Sequence, residues 1–228
     1  MARPSNTAAL LWEGRTPSRR GPAATLSLAA IAGAGVAIAD ERGLEAVSMQ
    51  AVAESLGFTK MSLYRHVRNK DELLAVMIDL AVEDVPDLNT RHSWRTRLVT
   101  FAAELTDVWA RHPWLPWATR GARVMGPREV SWVECAVEPL ADTRLTPAER
   151  LDAVFLIFGH LRNTHSTAAA GTQPWHDPTM VELLGDRADR FPALNDLART
   201  ELSDDNGRSF GFQLILDGIQ SLHDARGG

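Results

Sequence analysis

The stretch Ser48–Lys70, SMQAVAESLGFTKMSLYRHVRNK, decides the fold. Ser48 suits an N-cap, and Met49, Val52, Ala53 and Leu56 recur at the spacing of one helical face that Gly57 closes. Thr59 caps a second helix, with Phe58 before the cap and Leu63 at the fourth position placed as a hydrophobic staple. Leu63 and Val67 face inward. Two short helices about a tight Leu56-Gly57-Phe58 turn have helix-turn-helix geometry. In such a motif the second helix lies in the major groove of DNA and the first crosses the backbone.

Working outward, Leu28, Ile31, Gly35 and Ile38 recur at helical spacing, with Ser27 as cap and Gly43 just past the end. Gly33 and Gly35 inside this helix cost about 1 kcal/mol each relative to Ala and mark a close helix crossing. On the other side Asn69 caps a helix carried by Leu73, Leu74, Met77, Ile78 and Ala81, with Glu72 completing a capping box and Pro86 closing the element near Val85. Residues 1–25 mix Pro, Ser, Gly and Arg without a period and are expected to form a flexible basic arm. Arg15, Arg19 and Arg20 of that arm are candidates for the adjacent minor groove.

Beyond a polar link near Asn89–His92 no strand alternation or repeat occurs. Helices are predicted near 93–111, 114–122, 128–142, 147–169, 178–198 and 207–224. Thr146, Pro147 and Glu149 supply a cap, a first-position proline and a capping-box acid, and Asp177 with Pro178 repeats the first two. The fold class is therefore all-α: an N-terminal three-helix helix-turn-helix domain over 26–85 and a larger helical regulatory and dimerisation domain over 86–228.

Charge divides along the chain. The net charge of -5 conceals a front, residues 1–70, with nine Lys/Arg against five Asp/Glu, and a back with 15 against 24. A basic front and acidic back assign phosphate contact to the front. One cysteine, Cys135, excludes an internal disulfide framework and suits a reducing, cytoplasmic setting. Arg19 and Arg20 before the apolar run Leu26–Ala39 imitate a targeting signal. Cleavage there would delete the helix on which the motif packs, and the run is too short to span a bilayer, so no membrane partner is expected. No His-x-x-x-His, Cys-x-x-Cys or nucleophile-elbow spacing occurs, so neither metal, cofactor nor catalytic residue is expected.

With Leu63 and Val67 turned inward, Lys60, Ser62, Tyr64 and His66 remain on exposed or flanking faces. Lys60 can donate to guanine O6 or N7, and Ser62 can donate or accept at several base edges. Tyr64, His66 and Lys70 suit phosphates, and Gln50 can reach either a base or the backbone.

From Leu26 to Ala81 the chain resembles the TetR family of bacterial transcriptional regulators. The resemblance rests on GLEAVSMQAVAESLGF and SLYRHVRNKDELL, above all on Leu63, Tyr64 and His66 followed by Asn69, Lys70 and an acidic helix start. It implies Gln50, Lys60, Met61 and Ser62 near bases, with Ser48, Tyr64, His66 and Lys70 on phosphates. Gly33 with Gly35 departs from the pattern. The back half is similar to the tetracycline-repressor type of C-terminal domain, which implies a homodimer through the helices near 147–169 and 207–224. Both are apolar on more than one face, as helices shared between a core and a partner are.

The expected function is that of a ligand-responsive repressor binding a palindromic operator. The alternatives are an effector-independent activator or chromosome-organising protein, and a helical ligand-binding protein or enzyme. A small-molecule pocket is expected among Trp109, His112, Trp114, Trp117, Trp132, Phe155, Phe158 and Arg162, with Trp94 and Trp175 in the same aromatic set and Arg111–Trp114 at its border.

Overall fold

The computed structural model describes residues 6–13, 26–88, 91–165, 177–195 and 207–227. The described residues hold helices and no strand. They divide into two compact units, Met1–Leu140 and Ala141–Gly228.

The first unit opens with α1 (Asn6–Trp12), where the sequence predicts an arm without structure. Arg15, Arg19 and Arg20 lie outside the described residues. Helix α2 (Leu28–Arg42) follows, capped by Ser27, whose hydroxyl accepts from the Ala30 amide. A 3-10 turn over Leu44–Ala46 leads to α3 (Met49–Ser55) and α4 (Lys60–Leu63), capped by Ser48 and Thr59 as predicted. Gly57 between them has φ +72°, a conformation that a side chain strains. Regular helix ends sooner after Thr59 than the spacing predicts. The His66 amide reaches only back to the Leu63 carbonyl (2.8 Å), tightening residues 64–66 into a turn that still buries Val67 completely.

Helix α5 (Lys70–Ala81) starts on Asn69, whose side chain accepts from the Glu72 amide at 2.8 Å. The capping box is modified: the Glu72 carboxylate accepts from the Arg68 amide (2.8 Å). The helix ends at Ala81 rather than near Val85, because Glu83 turns the chain with φ +59°.

Gly35 and Gly33 prove different in kind. A Cβ at Gly35 would stand 2.6 Å from the Met77 sulfur and 2.9 Å from its Cγ, with Met77 fully buried, whereas Gly33 has only an ordinary 4.0 Å approach to Leu80. The predicted close crossing is therefore that of α2 and α5 at Gly35. Replacing Gly35 with Val is expected to overpack the contact and cost about 1–3 kcal/mol of unfolding free energy, read as a lowered urea midpoint. A midpoint equal to wild type would contradict the packing.

Helix α6 (Trp94–Arg111) buries Leu98, Phe101, Leu105, Val108 and Trp109. The element predicted over 114–122 shrinks to α7 (Leu115–Ala118), and α8 (Pro127–Val137) gives way to a 3-10 segment over Glu138–Asp142. Phe101 and Trp132 meet with ring centroids 5.7 Å apart. The buried Arg97 side chain is paired with Glu138.

In the second unit α9 (Pro147–His165) packs on α12 (Arg208–Ala225). The predicted capping box forms: Thr146 Oγ1 accepts from the Glu149 amide (3.3 Å) and the Glu149 carboxylate from the Thr146 amide (2.7 Å). The same carboxylate receives both Arg226 terminal nitrogens at 2.6 and 2.7 Å, joining the start of α9 to the end of α12. The ring of His160 donates to the Arg208 carbonyl at 2.8 Å. The helix predicted over 178–198 is broken into α10 (Pro178–Gly185) and α11 (Pro192–Asn195), the second opening on Pro192, which lacks the amide a continuing helix needs. Trp175 and the end of the helix predicted to reach 169 lie outside the described residues.

Candidate nucleic-acid interface

The recognition element owes its shape to a division between a dry and a wet face. Leu63 and Val67 are completely buried, while Met61 is 70% exposed and Lys60 and Tyr64 stand open to solvent. The Lys60 ammonium rests 5.8 Å from the Tyr64 ring centroid, a contact it can leave for a base edge at small cost because exposed cation-π pairs contribute only about 0.5–1 kcal/mol. Ser62 is half-buried and its hydroxyl lies 3.0 Å from that of Thr59.

Ser48 accepts from the Ala51 amide (3.1 Å) with its hydroxyl oxygen, a bond that leaves the O–H proton able to donate to a phosphate. Gln50 is exposed and donates to Glu54 one turn on. His66 is half-buried, and Lys70 is exposed at the first turn of α5. Two further cations belong to this surface and were missed by spacing alone: Arg65 and Arg68 are both exposed beside the recognition turn. The signal was available, since both side chains fall off the Leu63–Val67 face.

Behind this surface a set of polar ties joins α2 and α5 to the segments after α6. Asp40, on α2, accepts from the Trp114 indole at 2.7 Å and lies 2.9 and 3.0 Å from His112 Nδ1. Just past the end of α5, Glu83 takes both Nε (3.0 Å) and Nη2 (2.9 Å) of Arg111, and its carbonyl accepts from the Trp132 indole at 3.4 Å. Asp79 caps α8 from a distance, accepting from the Arg128 amide at 2.9 Å. A Cβ at Gly126 would collide with the Asp79 carboxylate, so the glycine makes this approach possible. Burial pushes the Asp79 carboxyl up from its ordinary value, and the amides of Arg128 and Glu129 oppose that shift.

Hydrogen bonding from the Arg111 guanidinium holds the Glu83 carboxyl below the usual carboxylate range. Its contribution to stability is therefore present above its ordinary value, 4.5, and is lost as pH falls through its depressed folded value. The pair is about half exposed, so it is worth about 0.2–1 kcal/mol. Glu83→Gln is expected to flatten the fall of melting temperature below pH 4.5. A fall parallel to that of wild type would show that Glu83 carries none of it.

The residues expected to line a pocket fall in both units. In the first, Trp109, Trp114 and Trp132 are buried, but His112 and Trp114 are engaged with Asp40, so Arg111–Trp114 is tied to α2 and the end of α5. Trp117 is 53% exposed, with the Arg120 guanidinium 5.2 Å from its ring centroid. In the second unit Phe155 is 60% exposed, while Phe158 and Arg162 are half-buried. Among the described residues no cluster of three or more His, Cys, Asp or Glu side chains gathers to hold a metal ion, and no helix is long and apolar enough to cross a membrane.

Two short capped helices that present an exposed Lys60-Met61 edge from a dry Leu63–Val67 core define a helix-turn-helix regulator. The model of the bacterial regulatory proteins of the tetR family matches residues 31–77, and that of the tetracyclin repressor-like C-terminal domain matches residues 85–222. The chain belongs to the TetR family of transcriptional regulators. It is 33% identical over 236 aligned positions to the HTH-type transcriptional repressor DrrR1 of Streptomyces coeruleorubidus, covering 96% of this chain and 86% of that protein. An HTH-type transcriptional regulator of Saccharopolyspora erythraea is 28% identical, covering 72% of this chain and 71% of its own. In fold the chain is similar to apo ActR of Streptomyces coelicolor (TM-score 0.75, 23% identity, 87% of this chain and 97% of ActR). It also matches BioQ, solved with its double-stranded DNA operator (TM-score 0.62, 18% identity, 86% and 99%).

Proposed function

We propose that the protein is a cytoplasmic homodimeric repressor that holds a palindromic operator through α4 and releases it when a small molecule binds the regulatory domain. The observation that carries the reading is the exposed edge Lys60, Met61, Ser62 and Tyr64 on a completely buried Leu63–Val67 support, in a chain of this family. Gln50, Lys60, Met61 and Ser62 face bases, with Met61 suited to a thymine methyl, and Ser48, Tyr64, His66 and Lys70 face phosphates. The DNA-binding region is 26–85 and the regulatory region 86–228.

Dimerisation is supported by the apolar side chains that α9 and α12 leave uncovered, Phe155, Leu156, Phe210, Leu214 and Leu222, several of which border an open groove of about 700 Å³. The aromatic content of the regulatory region favours an apolar or flat effector. ActR has been solved with actinorhodin. A ligand that prefers the non-binding conformer by 1–3 kcal/mol weakens operator binding about 5–150-fold. The test is a promoter fragment selected by the purified protein, titrated against a panel of planar polycyclic aromatics. At least one is expected to weaken binding within that range, and unchanged affinity at saturation of every member would overturn effector release for this chemistry. Repression is read from a reporter, which an activator would switch on.

A further inference from the structure

The N-terminal helix α1 lies outside the matched DNA-binding model, which begins at residue 31, yet it is built into the first unit. Its seven residues, NTAALLW, are too few to be helical alone, because isolated helices shorter than about 12–15 residues are marginal in water. Docking therefore supplies its stability. Leu10 is 9% exposed, and Thr7, Ala8, Ala9 and Leu11 are at least half-buried.

What α1 touches gives it a role. Leu10 and Leu11 line a cleft of about 280 Å³ together with Ala29 and Ala32 of α2 and Val76 and Leu80 of α5. At the far end of α1 the Trp12 indole donates to the Met125 carbonyl at 2.9 Å. Met125 lies two residues before Pro127, where α8 begins, and the Asp79 carboxylate that caps α8 borders the same cleft. One short helix thus packs on α5, shares a cleft with α2 and bonds to the loop that enters α8.

We propose that α1 is a positioning strap: it holds the C-terminal half of α5 against the loop before α8 and so fixes the recognition helix in its operator-binding orientation. Its side chains do not meet DNA. The strap works through α2 and α5, by lowering the freedom of the α5 end to move relative to residues 119–126.

The test compares wild type with a deletion of residues 1–13 and with Trp12→Phe, which keeps an aromatic side chain but loses the indole N–H donor and the pyrrole half of the ring system. Hydrogen exchange is measured without DNA, so that it is independent of whether an operator has been identified, and operator affinity is measured separately. Faster exchange at 76–82 and 119–126, unchanged exchange at 49–56 and operator binding about 3–10-fold weaker are expected for the deletion, with smaller shifts of the same sign for Trp12→Phe. Unchanged exchange at 76–82 and 119–126 would overturn the strap. Faster exchange there with undiminished operator affinity would equally overturn it, since α1 would then stabilise without positioning. If the deletion fails to fold, Trp12→Phe decides on the same two readouts.

Discussion

Replacing Leu156 and Leu214 together with Glu is expected to convert the dimer into a folded monomer and to weaken operator binding by about 100-fold or more. The two side chains are 57% and 55% exposed in the single chain, so a carboxylate at either place meets water in the monomer. Both border the groove between α9 and α12. In the dimer the same carboxylates would be buried without a partner, a penalty of several kcal/mol per ion. The loss in DNA affinity has a separate origin. Two linked recognition helices, about 34–36 Å apart or a multiple of that distance, engage their half-sites at high effective concentration, and linkage is worth 10²–10⁴ in avidity. Sedimentation and titration of an operator fragment read the two effects. A double variant that stays dimeric, or a monomer that binds as tightly as wild type, would show that the apolar faces of α9 and α12 serve something else.

Lys60→Ala carries the second-largest expectation. Lys60 is the first residue of α4, exposed and resting against the Tyr64 ring, a weak contact that it can exchange for a base edge in the major groove. A Lys contact to guanine O6 and N7 contributes about 1–3 kcal/mol of discrimination. The substitution is therefore expected to weaken operator binding about 5–150-fold and to relax the base preference at one position of each half-site. Uniform weakening across all operator variants would instead assign Lys60 to a phosphate.

The parts of this fold legible in the sequence are those whose chemistry is local. Ser27, Ser48, Thr59, Asn69 and Thr146 each cap the helix that follows, because a short side-chain oxygen can satisfy an amide three residues on without help from the rest of the chain. Gly35 was legible as an anomaly in its helix, although not as the partner of Met77.

What escaped the sequence depends on distant neighbours. Asp40 and His112 are 72 residues apart, and Asp79 caps a helix 49 residues away. No period or motif announces either. The end of α5 was misjudged for a related reason: Glu83, a residue without special turn propensity, takes a positive φ beside its ties to Arg111 and Trp132. The same ties explain why an aromatic-rich segment that resembles a pocket wall, Arg111–Trp114, is engaged instead with the helices that carry the DNA surface. Helix α1 lacked a signal because its apolar face spans barely two turns and becomes helical only against α2 and α5.

The α4 surface is proposed to bind operator DNA through both bases and phosphates. The most direct measurement is the affinity of the purified protein for its promoter fragment at two salt concentrations, beside a Tyr64→Ala, Lys70→Ala double variant. Selective binding is expected, falling by about 10³-fold or more between 50 and 200 mM salt, with the double variant binding more weakly at both concentrations. Its salt dependence should also be shallower by about two units of slope, one for the lost Lys70 phosphate contact of each protomer. Binding that is indifferent to salt, or a double variant equal to wild type in both affinity and slope, would contradict this mode of binding.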